Sequence, residues 1–110
     1  MEQKLNLIKE AILEKKALKP LILDLNKISP VTDYFFICSG QSPVQARAIA
    51  DNVADKLSEA GLKPYTQEGY KDGRWILLDF GDVVVHVMNQ LERDFYSLET
   101  LWHDAKISEF

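Results

Sequence analysis

Arg74-Trp75-Ile76-Leu77-Leu78-Asp79-Phe80-Gly81-Asp82-Val83-Val84-Val85-His86-Val87-Met88 holds two apolar runs separated by two residues, glycine first. A glycine leading a two-residue turn is what a type II′ hairpin requires, so Arg74–Phe80 and Val83–Met88 read as antiparallel strands. That turn pairs Phe80 with Val83, Leu78 with Val85 and Ile76 with Val87. These six side chains make one wholly apolar face, which must be core. The opposite face pairs Asp79 with Val84, Leu77 with His86 and Trp75 with Met88. A slip of one residue would turn the core set toward water, so the register is specified.

Upstream, residues 2–16 read as a helix, with Leu5, Ile8 and Ile12 at helical spacing and Lys15 and Lys16 at its negative end. Leu18–Leu25 reads as a strand, closed off by Ser29-Pro30. Asp33–Ser39 reads as an interior strand: Tyr34, Phe36 and Cys38 face one way, Phe35 and Ile37 the other, and both faces are apolar. Ser42, Pro43 and Gln45 open the next helix as N-cap, first position and capping box. Its stripe runs Ala46, Ile49, Ala50, Val53, Leu57, Ala60, and Gly61 stops it. A short strand over about 64–68 leads into the Gly69–Gly73 loop. Downstream of the hairpin, Ser97 caps a short helix carrying Leu98, Leu101 and Trp102, with Phe95 expected to pack beside them. The order α-β-β-α-β-β-β-α predicts a single α/β domain over 1–110, a mixed five-stranded sheet with helices on at least one face.

The chain's 110 residues suit one domain, and one core of this size holds without covalent staples. Its 13 basic and 17 acidic side chains leave a net charge of −4, against a protein that grips nucleic acid or a membrane through a basic field. The lone Cys38 excludes an internal disulfide framework and multi-cysteine zinc sites, and points to a reducing compartment. No apolar run approaches the roughly 20 residues that span a bilayer. Glu2, Glu10 and Glu14 do not suit a targeting segment, so the cytoplasm is expected.

Trp75, Leu77 and Met88 with Asp79 and His86 combine an apolar centre with oriented polar groups, the composition of a partner-binding patch. A helix covering the same face would explain Trp75 equally well, and the pattern leaves both readings open. Glu68 and Tyr70, at the mouth of the glycine-bounded loop, are candidates for its rim. Catalytic constellations find less support. His86 and His103 are the two histidines, and no further ligand spacing accompanies them. A Cys38–His86 nucleophile pair would need a thiol that the surrounding Phe35-Phe36-Ile37 is expected to bury. Ser39-Gly40-Gln41-Ser42 lies where anions bind, at a strand-to-helix junction, but neither Gly-x-x-x-x-Gly-Lys nor Gly-x-Gly-x-x-Gly is present. No Asp-x-Asp supplies the carboxylates of two-metal transfer, and Glu92-Arg93-Asp94 falls after the last expected strand.

Taken together, Thr32–Gly40, Ala48–Asp51, Glu68-Gly69, Trp75, Asp79–Met88 and Arg93–Trp102 resemble the ribosomal silencing factors, the Iojap-like proteins, over about residues 5–104. Val44 departs from the arginine that relatives often carry in a Ser-x-Arg-Gln pattern. The resemblance implies a nucleotidyltransferase-like fold without transferase carboxylates, no cofactor and no catalysis. It also implies binding to protein L-fourteen of the large ribosomal subunit, which blocks subunit joining under nutrient limitation. Carried over by position, the contact residues are Trp75, Leu77, Asp79, His86 and Met88, with Glu68 and Tyr70 as additions. The competing arrangements are a homodimer through the same face and a nucleotidyltransferase-like enzyme.

Overall fold

Two half-cores, one on each side of a single twisted sheet, organise the chain. A computed structural model describes residues 1–110. The elements are α1 (Glu2–Glu14), β1 (Leu18–Asp24), β2 (Tyr34–Ser39), α2 (Pro43–Glu59), β3 (Thr66–Glu68), β4 (Trp75–Asp79) and β5 (Val83–Met88). They continue with α3 (Gln90–Tyr96), α4 (Leu98–Leu101) and β6 (Lys106–Glu109). The sheet order is β3-β4-β5-β2-β1-β6, with β2 and β5 parallel and every other neighbouring pair antiparallel. The hairpin register is the one the turn dictates, with Leu78 opposite Val85 and Leu77 opposite His86. Gly81 makes this turn at φ +88°, a backbone state open to glycine at little cost.

On the first face, α1 and α2 lie over Phe36, Cys38, Ile76, Leu78, Phe80, Val83, Val85 and Val87, all buried. Helix α2 contributes Ala46, Ile49, Ala50, Val53 and Leu57 of the expected stripe, whereas Ala60 is exposed at the C-cap, one residue past the helix. Each buried leucine or isoleucine is worth about 1.5–3 kcal/mol, so this face carries much of the stability. Ser42 Oγ accepts from the Gln45 amide at 3.1 Å, as an N-cap should. The returning half of the capping box goes to Gln41 rather than Ser42, because Gln45 Oε1 accepts from the Gln41 amide. The second face buries Leu23, Leu25, Ile37 and Met88 with Leu98 and Ala105, so α4 and the turn after it form its lid.

The structure corrects the expected elements in four places. The sheet has six strands rather than five, since Lys106–Glu109 adds antiparallel to β1 through backbone pairing with all four residues exposed. Helix α1 ends at Glu14, and Lys16 adopts φ +56° beyond it, so the two lysines follow the helix. The C-terminal helical segment begins earlier than Ser97: Asn89 caps α3 by accepting from the Glu92 amide. Ser97, at φ +44°, breaks the helix and stands at the N-cap of α4 without a side-chain capping bond. Finally, Phe95 is 81% exposed rather than packed and Leu101 is exposed as well, whereas Leu98 is buried and Trp102 half-buried, as expected.

Candidate functional site

Strand alternation sends Trp75, Leu77 and Asp79 of β4 to the second face, beside Val84, His86 and Met88 of β5. The lid formed by α4 does not reach the β3–β4 edge. Trp75 and Leu77 therefore remain half-exposed, and with Glu68 they line a shallow open groove of about 250 Å³. Glu68 pairs with Leu77 across β3 and β4 and is itself exposed. Asp79 turns one oxygen to its own hairpin, accepting from the Gly81 amide at 2.8 Å.

His86 lies beneath this surface at 4% exposure. Its Nδ1 accepts from the Trp75 indole N–H at 3.1 Å, and Phe35 meets the imidazole edge-on at 4.6 Å between centroids. Burial lowers its pKa to about 4, with the Asp79 charge opposing the shift. The ring is therefore neutral near pH 7, and because Nδ1 accepts, the proton sits on Nε2. That Nε2 is buried without a hydrogen-bond partner. Such a donor costs about 1–3 kcal/mol, so a bond that fixes the indole comes at an internal expense. Tyr96 completes the setting, its ring 4.9 Å from Trp75.

Of the seven expected contact residues, Trp75, Leu77, Asp79 and Glu68 share one accessible surface. His86 supports it from below. Met88, by contrast, is fully buried with Ile37 and Leu98, because α4 covers that end of the strand. Tyr70 belongs to the other side of the sheet. Its hydroxyl donates to Asp51 of α2 at 2.9 Å, drawing its pKa upward, since the Gly69–Gly73 loop folds toward α2. Phe35 and Tyr96, which pack on His86 and Trp75, were not among the expected contacts; the aromatic type and the alternation of Phe35 were the available signals.

The Cys38–His86 nucleophile pair loses its geometry. Cys38 pairs with Val87 and His86 with Ile37, so the thiol and the imidazole face opposite sides of the sheet. Burial raises the Cys38 thiol to about 12, against the opposing influence of Arg93. Ser39 Oγ, at the strand-to-helix junction, is occupied by Arg93 Nη1 at 3.0 Å. No three His, Cys, Asp or Glu side chains gather where a metal ion could be held. Charge is distributed unevenly: residues 66–104 hold eight acidic and three basic side chains, a net −5, which leaves +1 for the remainder.

The site is thus one half-covered face of a mixed α/β sheet, apolar at its centre with acidic side chains beside it. The comparisons with known proteins place the protein more closely. The chain belongs to the family described as ribosomal silencing factor during starvation, whose model matches residues 1–110. It is 46% identical over 96 residues to the ribosomal silencing factor of Bacillus subtilis, covering 87% of this chain and 81% of that one. The corresponding factor of Halalkalibacterium halodurans is 42% identical over 108 residues, covering 98% and 92%. Maize chloroplastic Iojap is 33% identical over 96 residues, 42% of its length. A crystal structure of a Chromobacterium violaceum protein superposes with a TM-score of 0.91 at 37% identity, covering 94% of this chain and 86% of that one. A Bacillus halodurans protein superposes at 0.87 and 39% identity over the whole of both chains. The family is one of translation regulators that associate with the ribosome.

Proposed function

We propose that this chain docks on the large ribosomal subunit through protein L-fourteen, using the Trp75–Leu77 surface of β4 with Glu68 and Asp79 beside it. Bound there, it keeps the small subunit from joining and so lowers translation when nutrients are short. The identity of the partner and the blocking step come from the family resemblance. The observation that carries the choice of surface is the half-exposed Trp75 and Leu77 at the uncovered edge of the second core.

This mechanism asks for occupancy rather than turnover. Binding forms no covalent bond, and the protein's 34 × 34 × 23 Å bulk stands between two surfaces that must meet. A standard interface takes about 800 Å² from each partner. That is a modest share of the 6331 Å² of accessible surface here, so one sheet edge with its flanks suffices. Acidic side chains around an apolar centre would speed encounter with a basic ribosomal protein and orient it. The cytoplasm is where such a protein would act. His86 contributes by holding the indole in place, and Trp75 is the side chain the partner buries.

Re-association of purified subunits, followed by light scattering, tests this reading. Wild-type protein added in slight excess over large subunits is expected to suppress the rise in scattering, and Trp75→Ala to leave it intact. Undiminished re-association with wild type bound to the large subunit would overturn the blocking step.

A further inference from the structure

Helix α3 has its polarity reversed. Among its seven residues the buried one is Arg93, at 5% exposure, bonded to Ser39 and 3.8 Å from Glu99. Leu91 and Phe95 stand 79% and 81% exposed. They are four residues apart and so share a helix face. The Phe95 ring meets Tyr96 edge-on at 5.0 Å, and Tyr96 in turn lies 4.9 Å from Trp75. Single exposed apolar side chains are ordinary, but a run that continues from a binding face marks an interaction surface. Folding does not account for it: Arg93 anchors α3 to the sheet, and Leu91 and Phe95 bury little in doing so.

We propose that the docking surface continues from β4 across Tyr96 onto α3, where Leu91 and Phe95 form a second anchor for the same basic protein partner. This inference rests on the docking reading of the Trp75 surface and extends it. Charge selects the occupant. Glu92 and Asp94 lie on α3 beside the two apolar side chains, within the segment of net −5. That field repels nucleic acid phosphates and anionic lipid. A basic protein surface with an apolar hollow satisfies both the charge and the exposed rings.

The test is an anisotropy titration of amino-terminally labelled protein with large ribosomal subunits of Bacillus subtilis, comparing wild type, Trp75→Ala and the double variant Leu91→Ser/Phe95→Ser. Both substituted positions of the double variant are exposed, so its melting temperature and circular dichroism should match wild type. It is expected to bind at least about tenfold more weakly, the loss typical of removing an anchor. Wild-type affinity in the double variant, with Trp75→Ala impaired, would confine docking to β4 and overturn the extension alone. Absence of wild-type binding would overturn the docking reading beneath it. Unchanged ribosome binding with a loss of self-association in sedimentation would assign the ridge to a second copy and overturn the proposal.

Discussion

The Trp75 indole N–H donates to His86 Nδ1 at 3.1 Å, tying the half-exposed side chain at the centre of the proposed docking surface to a histidine with 4% exposure. The bond requires an imidazole with an unprotonated Nδ1. Both the surface and part of the protein's acid stability therefore depend on one neutral ring.

His86 should make stability fall as acid is added. Its folded pKa, about 4, lies below the ordinary 6.5, so the unfolded chain binds the proton first. The contribution is complete above about pH 6.5 and is lost as pH falls toward 4, up to about 3 kcal/mol. Denaturant titrations at pH 7, 5.5 and 4 on wild type and His86→Gln measure it, glutamine offering an untitratable acceptor. Wild type should lose more than the variant by about that amount. Parallel pH dependence would show that His86 does not remain neutral in the fold.

Cys38 should be silent in the folded protein. Its side chain is fully buried and its thiol is pushed up to about 12. A thiol-specific disulfide reagent is expected to react stoichiometrically in denaturant and negligibly in native buffer. Rapid native labelling would contradict the placement of β2 in the interior.

Arg93 should be expensive to remove. It joins α3 to Ser39 and to the Leu18 carbonyl, and it lies 3.8 Å from Glu99, one of whose oxygens already has no partner. Arg93→Ala is expected to destabilise by about 3 kcal/mol by leaving these groups unpaired. Denaturant unfolding measures it. A loss below about 1 kcal/mol would mean that α3 is held by other contacts.

Gly69 should not tolerate a side chain. It sits at φ +76°, and an added Cβ would fall 1.9 Å from the Trp75 carbonyl oxygen. Gly69→Ala is expected to displace the start of β4, lowering the melting temperature and shifting Trp75 fluorescence. Unchanged values for both would place the loop elsewhere.

The hairpin was readable because two independent signals agreed: Gly81-Asp82 set the turn, and the six apolar partners set the face. The cover over a face was not readable in the same way. Alternation put Met88 beside Trp75, but α4 buries the first and spares much of the second. Tyr70 went to α2 because the direction of a glycine-bounded loop is a tertiary matter. Phe95 was expected inside because aromatic residues in a short helix ordinarily are, and α3 inverts that rule. The strand Lys106–Glu109 carries one apolar residue, Ile107, and is held by backbone pairing, which leaves no side-chain pattern to find.

In the proposed function the Trp75 surface docks on the large subunit. The direct measurement is sedimentation of the protein with separated large and small ribosomal subunits, for wild type and for Trp75→Ala shown to be folded. Wild type should pellet with the large subunit and not the small one, and the variant should bind about thirtyfold more weakly, the loss of about 2 kcal/mol expected for a central anchor. Wild type pelleting with neither subunit, or a folded variant binding as tightly as wild type, would contradict it.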